Sequence, residues 1–279
     1  MGFGCNAAGV VGCRIIDSPR ERLIAVLTNS FVPCNGRFPA MISLICIFFV
    51  GISGGVGTSL VSALLLTVVI LLGVGMTLLF SRLLSRTLLR GIPSSFALEL
   101  PPYRRPQIGK VIIRSVFDRT LFVLGRAIAV AAPAGALLWL LANVQVGDAS
   151  LLMHCAAFLD PLGRLLGMDG VILTAFILGF PANEIVIPIA VMAYTMGGTL
   201  TDVGDLAAMR DVLSANGWTP VTAVCTILFS LMHWPCSTTV MTIRGETGSL
   251  RHTLAAVLLP TLAGVAVCFL VAAAARLVG

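Results

Sequence analysis

Side chains that could bind a cation stand in four short motifs of an otherwise apolar chain. They are thiols, amides, one carboxylate and one imidazole: Cys5, Asn6, Cys34, Asn35, Asn183, Glu184, His233 and Cys236. Thiolate and imidazole ligands suit a transition metal ion, whereas Na⁺, Mg²⁺ and Ca²⁺ prefer shells of oxygen atoms. These residue types therefore predict a transition-metal site rather than a hard-cation site.

Glu184 lies inside the apolar stretch "GFPANEIVIPIA" (179–190). A carboxylate at the centre of a membrane helix costs about 2.5–3.5 kcal/mol, so a functional role is expected for it. Its alternative role is pairing with an arginine or a backbone donor. Cys5, Cys34 and Cys236 are the stronger thiol candidates because they stand at helix breaks beside polar residues, whereas the other five cysteines are expected to be packed thiols.

His233 stands three residues before Cys236. Its type fits two roles equally, a metal ligand and a hydrogen-bonded histidine at an interface. No Ser-His-Asp set and no HExxH motif accompanies it, and one Glu with one His falls short of a catalytic set. The chain is therefore not expected to be an enzyme.

The composition of the chain is that of a membrane protein. Hydrophobic residues make up 58% of the chain, charged residues only 11%, and the mean hydropathy is +1.03. Such a chain cannot cover a soluble core with polar residues, so a polytopic membrane protein is predicted. The net charge of +6 comes mainly from arginines that punctuate apolar runs. That pattern follows the positive-inside rule and excludes a basic face for nucleic acid.

Six apolar runs predict membrane segments, since a crossing needs about 20 apolar residues. They are 38–57, 58–80, 127–146, 170–195, 219–243 and 253–277. The Gly-Phe-Pro in 170–195 predicts a broken helix there. The segment 151–168 is more polar and is expected at the membrane interface.

A basic connector, residues 81–126, separates the second run from the third. It holds nine of the 18 basic residues, opposed only by Glu99 and Asp118, which places it in the cytoplasm. Its part 108–125 alternates apolar and basic residues at helical spacing, as in a helix lying on the membrane surface. The predicted contacts with anionic lipid are Arg104, Arg105, Lys110 and Arg114.

Two pairs of motifs indicate an internal duplication. "GFGCN" (2–6) corresponds to "GFPAN" (179–183), and each is followed by a Ser-Pro or Thr-Pro helix start and then by a Pro-Cys element. The spacing from that first-turn proline to the cysteine is 15 residues in the first copy and 16 in the second. Three predicted crossings between the copies, an odd number, make the repeats inverted. In such transporters the substrate site lies where the breaks meet.

These motifs resemble the membrane (Gate) domain of the ferrous iron transport protein B (FeoB) family. The matching stretches are "GFGCN", "PCNGRFP" (33–39), "ELPPYRRP" (99–106), "GFPANEIVIP" (179–188) and "HWPCSTTVMTIRGETGS" (233–249). The resemblance implies an all-α, multi-pass protein of the bacterial inner membrane with two Gate-type repeats that contain broken helices and are expected to be inverted. It also implies Fe²⁺ as the transported ion, with Cys5 and Cys34 on the iron path and Glu184 and Cys236 as the second repeat's contributions.

The resemblance divides the chain into three parts. Residues 1–80 hold an N-terminally incomplete first Gate repeat and the spans after it, 81–126 form the cytoplasmic connector, and 127–279 hold the second repeat and the C-terminal spans. The family's GTP-binding G domain is not expected here, because a Walker A loop needs Gly-Lys-Ser/Thr and the only lysine, Lys110, is followed by valine.

GTP would then act only through a G domain on another polypeptide or on a missing N-terminal portion. Membrane lipid, small Feo accessory proteins and further copies of the chain are the other partners that the resemblance allows. Two alternatives stay open: a Gate-domain transporter of an organic solute such as a nucleoside, and a non-transporting membrane subunit or truncated remnant. Ligand type alone does not separate Fe²⁺ from Mn²⁺ or Zn²⁺.

Overall fold

The described part of the chain is almost entirely helical. The computed structural model describes residues 2–51, 55–87, 107, 109–110, 113, 122–147, 149–196 and 205–278. The helices are α1 Asn6–Gly12, α2 Pro19–Thr28, α3 Phe38–Ile45, α4 Val56–Arg86, α5 Phe122–Asn143, α6 Leu151–Leu165, α7 Gly170–Leu178, α8 Val186–Tyr194, α9 Leu206–Ala215, α10 Pro220–Met232, α11 Ser237–Thr247 and α12 Leu250–Val278. A short hairpin pairs β1 Gln145–Val146 with β2 Ala149–Ser150. The predicted all-α class is confirmed.

Short turns of other helix types connect these elements at the breaks. Four are 3-10 turns, at Cys13–Ile15, Asn29–Phe31, Asn35–Arg37 and Asn183–Ile185, and a π-helical turn at Cys46–Val50 extends α3. Four segments of the described chain are long and apolar enough to cross a membrane: Pro19–Val50, Val56–Arg86, Pro220–Thr247 and Leu250–Leu277. The protein is therefore a multi-pass membrane protein.

The predicted starts of the two crossing helices are confirmed. Ser18 accepts a hydrogen bond from the backbone N–H of Glu21 at 3.4 Å, and Pro19 occupies the first turn of α2. Thr219 accepts from the N–H of Thr222 at 3.2 Å in the same position before α10. A hydroxyl cap followed by proline satisfies the free N–H groups of a helix start, which explains why the two sites match.

Two predicted membrane segments have different shapes in the structure. The run 170–195 is a hairpin rather than one crossing: α7 enters, the chain turns at 179–182, and α8 returns. The segment 151–168, expected at the interface, forms α6, which meets α7 at an angle of 110°. The cause is close packing, since any side chain at Gly170 would overlap the Ala156 carbonyl oxygen.

Helix α4 shows the direction of the first copy. Arg20, near the start of α2, donates to the Ser85 carbonyl at 3.2 Å, and Cys46, after α3, lies with its Sγ 3.5 Å from Ser62 Oγ. The segment α2–α3 therefore runs antiparallel to α4. It starts at what we call the basic end, the end of α4 around 82–86, where Arg82 and Arg86 lie.

The second copy runs the opposite way. Trp218, just before α10, stacks on Phe48 with ring centroids 5.9 Å apart, so α10 starts beside the end of the first copy's crossing segment. Glu246, near the end of α11, lies 2.6 Å from Arg14, and Ile243 of α11 packs in one cluster with Leu84. The segment α10–α11 thus finishes at the basic end, and the two copies are inverted.

In each copy a short helix follows the Gly-Phe motif, α1 in the first copy and α8 in the second, and the two helices run toward opposite ends of the molecule. Helix α1 leads from residues 2–6 to Arg14 at the basic end. Helix α8 leads from residues 179–183 to the other end, where Tyr194 donates to Asp169 Oδ2 at 2.5 Å. We call 2–6 and 179–183 the first and second tips, and helices α1 and α8 lead away from them toward opposite ends of the molecule.

Candidate functional site

The breaks of the two copies meet near the middle of the long helix α4. We call residues 29–37 the first hinge and 233–236 the second hinge. The first hinge contacts the turn that follows the second tip, and a Cβ at Gly36 would lie 3.8 Å from Glu184 Oε2. At Gly73, near the centre of α4, a Cβ would lie only 2.6 Å from the first hinge's backbone. This places the breaks at mid-depth, where inverted-repeat transporters bind substrate.

Each tip is attached to its own hinge by corresponding hydrogen bonds. Asn35, which follows Pro-Cys in the first hinge, donates its backbone N–H to Gly4 O at 3.3 Å. Ser237, which follows Pro-Cys in the second, donates its N–H to Phe180 O at 2.9 Å and its Oγ to Pro181 O at 3.3 Å. The duplication seen in the sequence therefore extends to the bonds that join tip to hinge.

The two tip asparagines are buried, and their amide groups hold the tips in place through hydrogen bonds. The Asn6 amide, oriented to satisfy its neighbours, donates to Gly2 O at 3.1 Å and Val32 O at 3.2 Å. Asn183 lies with Oδ1 3.3 Å from His233 Nε2. Buried amides need such partners, so neither side chain is open to an ion in this arrangement.

His233 is buried and engaged through both ring nitrogens. Nδ1 lies 2.9 Å from Ser230 O and 3.1 Å from Phe229 O. An Nδ1 that faces two carbonyls must carry the proton and donate, so Nε2 of the neutral ring is an acceptor. It is satisfied when the Asn183 amide turns its N–H rather than its oxygen toward the ring. The ring packs against three aromatic side chains at centroid distances of 5.0–6.0 Å. A role as a metal ligand, still a prediction, would require Nε2 to leave Asn183.

The four strongest donor candidates are more open. Cys5 and Glu184 are exposed, and Cys34 and Cys236 are half-buried. The Cys236 Sγ lies 3.2 Å from Thr239 Oγ1. Within the described residues, no three His, Cys, Asp or Glu side chains are arranged to hold a metal ion. The donors therefore form a loose, open set rather than a closed coordination site of the structural kind.

Arg37 belongs to this site although motif reasoning did not select it. Its side chain is fully buried, and Nη1 donates to Ser30 O at 3.2 Å and Leu231 O at 3.0 Å, while Nη2 donates to Trp234 O at 3.3 Å. Both Cys34 and Cys236 lie within electrostatic range of the guanidinium. The signal that could have found it is a charged residue inside an apolar segment, the criterion that selected Glu184.

Polar pairs that the sequence did not predict join elements at the two ends of the molecule. At the basic end, Arg14 makes a bidentate ion pair with Glu246 at 2.6 and 2.7 Å. At the other end, Trp218 Nε1 donates to Tyr194 Oη at 2.9 Å, and Tyr194 donates to Asp169. The second set closes the open end of the α7–α8 hairpin.

The remaining sequence candidates lie elsewhere. Lys110 is exposed, whereas Arg104, Arg105 and Arg114 lie outside the described residues. All eight cysteines are unpaired thiols, and Cys225 and Cys268 are buried. Cys13 Sγ donates to Gly9 O at 3.3 Å, and burial together with the Glu246 carboxylate raises the pKa of this thiol. Cys13, Cys225 and Cys268 fit the packed role expected for them.

Comparison with known proteins gives two family matches. Residues 66–118 match "Ferrous iron transport protein B C terminus", and residues 124–250 match "Gate: Nucleoside recognition". The Fe(2+) transporter FeoB of Staphylococcus aureus (strain MSSA476) is 29% identical over 280 residues, which cover 97% of this chain and 39% of that protein. No solved structure matches.

Two further relatives with the same name agree. The Fe(2+) transporter FeoB of Methanocaldococcus jannaschii is 26% identical, with 89% of this chain and 36% of that protein covered. That of Synechocystis sp. is 27% identical, with 93% and 40% covered. The chain thus spans about two fifths of the length of these relatives.

The fold and the site together define a multi-pass, all-helical membrane protein built from two inverted copies with broken helices. By these matches the chain is similar to the membrane part of proteins named Fe(2+) transporter FeoB.

Proposed function

We propose that the chain forms the permease part of a transporter that carries Fe²⁺ across the membrane. The observation that carries the proposal is the contact between the first hinge and the turn after the second tip at mid-depth, with Glu184 beside Gly36. Broken backbone at membrane depth is tolerated where it is buried in protein or lines a watery cavity. Sulfur and carboxylate donors at such a break suit a transition metal, and the relatives are named Fe(2+) transporters.

The donors divide into two roles in this proposal. Cys5, Cys34, Glu184 and Cys236 are open enough to bind a passing ion in turn. Asn6, Asn183 and His233 hold the tips on the hinges. A loose donor set fits transport, because an ion must bind well enough to enter and weakly enough to leave.

Energy coupling would come from sequence other than the described part of this chain. The relatives are about two and a half times as long as the region that matches, and the family resemblance supports a G domain that binds GTP. Membrane lipid, small Feo accessory proteins and additional copies of the chain are the other proposed partners. The chain itself is proposed to be a conduit and not an enzyme.

Uptake of radioactive iron by cells that lack their own ferrous transporter tests this function. We expect Cys34→Ser and Glu184→Gln to lower uptake by about tenfold to a hundredfold at equal membrane level, since lost metal ligation has effects of at least that order. Cys155→Ser, at a half-buried thiol on α6, and Asp211→Asn, at an exposed carboxylate on α9, are the matched controls. Normal uptake in both site variants would reject the proposed path.

Transport of an organic solute is the second candidate, favoured by the nucleoside-recognition match over residues 124–250. A ligand that binds only the folded state raises thermal stability. Stabilisation of the purified protein by Fe²⁺ or Mn²⁺ supports the metal path. Stabilisation by nucleosides, with none by divalent metals, would favour the organic solute.

A further inference from the structure

Arg37 joins the two copies through one side chain. The guanidinium donates to the Ser30 carbonyl of its own hinge and to the Leu231 and Trp234 carbonyls of the other copy, at 3.0–3.3 Å. All three acceptors are main-chain atoms at the ends of broken helices. Arg37 therefore connects the two hinges directly, beside an apolar cluster to which both copies contribute, with Phe31 from the first and Leu231 from the second.

Stability alone does not account for this residue. Arginine stays charged in proteins, and a buried charge is costly unless it is fully paired. The partners of Arg37 are neutral carbonyls, and its Nε and the nearby Ser30 Oγ have no partner among the described residues. Apolar residues of similar size often replace buried charges without loss of stability, so a role beyond packing is indicated.

The same residue holds both hinge thiols through short, stiff connections. The backbone N–H of Arg37 donates to Cys34 O at 2.9 Å. On the other side, only Pro235 separates the Trp234 carbonyl from Cys236, and proline fixes the φ angle of that link. A change in the position of the guanidinium would consequently move Cys34 and Cys236 relative to each other.

We propose that Arg37 is a positioning residue that sets the separation of the Cys34 and Cys236 thiols across the junction of the two copies. The inference rests on the proposed function in taking these thiols as donors on the ion path. The planar guanidinium holds donors in fixed directions that reach three carbonyls at once, whereas a lysine ammonium is a point charge on a flexible stem. Lysine keeps the charge but should lose the fixed spacing.

Thiol crosslinking in native membranes tests this inference. The full chain, with all eight cysteines present, is treated with dibromobimane, a short bifunctional thiol reagent, and the Cys34–Cys236 crosslink is quantified by mass spectrometry. We expect Arg37→Lys to lower the crosslinking rate by about tenfold, since an ångström of misplacement has effects of that size or greater. Labelling of each thiol by N-ethylmaleimide should stay unchanged, and Arg210→Lys, at an exposed arginine on α9, serves as the control.

The outcomes separate this inference from the function on which it rests. Absence of the crosslink in the unmodified protein would contradict the shared ion path itself. A crosslink that forms equally fast in Arg37→Lys would overturn only the role of Arg37. If Arg37→Lys does not fold, Arg37→Gln is measured in its place, and failure of both variants to fold would show a purely structural residue and overturn the proposal.

Discussion

The two copies share one scaffold and differ in the chemistry they place on it. The first tip reads Gly-Phe-Gly-Cys-Asn and offers the Cys5 thiol, whereas the second reads Gly-Phe-Pro-Ala-Asn and is followed by the Glu184 carboxylate. Ala182 stands where the first copy has Cys5, and Ala7 stands where the second has Glu184. The first tip thus supplies sulfur and the second supplies oxygen at corresponding places.

The hinges diverge in the same manner after a common Pro-Cys. Three residues beyond the cysteine, the first copy has Arg37, which reaches into the other copy, and the second has Thr239, whose hydroxyl lies 3.2 Å from its own cysteine sulfur. Backbone contacts between tip and hinge are kept in both copies. The difference teaches that the duplication keeps the geometry of tip and hinge, whereas the side chains placed on that geometry differ between the copies.

A small change at the junction of the two copies should have the largest effect on the stability of the fold. A methyl group at Gly73 would lie 2.6 Å from Phe31 O and 3.1 Å from a Leu231 methyl, whereas Gly75, also in α4, has open space. We expect Gly73→Ala to destabilise the fold by about 1–3 kcal/mol through overpacking. Gly75→Ala should instead stabilise it by about 0.5–1 kcal/mol, because alanine favours a helix. Thermal unfolding in detergent measures both, and equal shifts would contradict the close junction.

Substitution of the tip asparagines compares the hydrogen bonds that hold each tip in place in the two copies. Asn183→Ala should cost about 1–3 kcal/mol, since it leaves His233 Nε2 buried without a partner. Asn6→Ala removes the amide that binds the Gly2 and Val32 carbonyls and should cost a similar amount. The free energies of unfolding of the two variants are the measurement. A loss of unfolding free energy in only one of the two variants would show that only that copy is stabilised by its tip asparagine.

The polar pairs at the two ends should differ in strength. Tyr194→Phe leaves Asp169 Oδ2 and Trp218 Nε1 without their hydroxyl partner, and we expect a loss of about 1 kcal/mol. Arg14→Gln removes an exposed ion pair with Glu246 and should cost less, because water and salt screen such pairs. Hydrogen exchange at each end measures the local loss. A larger effect at Arg14 would reverse the comparison.

Replacing the cysteine of the first tip with the alanine of the second should have the smallest effect on stability. Cys5 is exposed, so Cys5→Ala, which gives the first tip the alanine found in the second, should change stability by less than about 0.5 kcal/mol. Iron uptake should nevertheless fall, because a sulfur donor is lost from the proposed path. Unchanged uptake would remove Cys5 from that path.

Much of the architecture could be predicted from the sequence because periodic, physically simple signals encode it. The apolar runs 58–80, 219–243 and 253–277 correspond to long apolar segments of the described chain, Ser-Pro and Thr-Pro gave the helix starts at 19 and 220, and paired motifs gave the two copies. The run 38–57 was placed too late, because the segment runs from Pro19 to Val50, and 127–146 holds a shorter apolar helix, Ile128–Asn143. The hairpin in 170–195 was less predictable, because an apolar run has the same composition whether it crosses the membrane or turns back. The return of the chain is seen only in the fold, where Tyr194 at the end of α8 donates to Asp169 at the start of α7.

The sequence identifies the residue types of the site but not the hydrogen bonds that connect them. Chemical type and broken backbone identify Cys34, Glu184 and Cys236 as candidates. Two of the three partners of Arg37 are main-chain carbonyls nearly 200 residues away along the chain, and every residue except proline carries the same carbonyl and N–H groups. No sequence pattern names which of them an arginine will reach.

The central claim is that one ion is shared by donors from both copies. Protection of the thiols from alkylation by N-ethylmaleimide, with Fe²⁺ present under reducing conditions, tests it most directly. The account predicts that Fe²⁺ slows labelling of Cys34 and Cys236 at the same concentration, and that Glu184→Gln raises that concentration for both thiols together. Protection of only one thiol, or protection that Glu184→Gln leaves unchanged, would contradict the shared site.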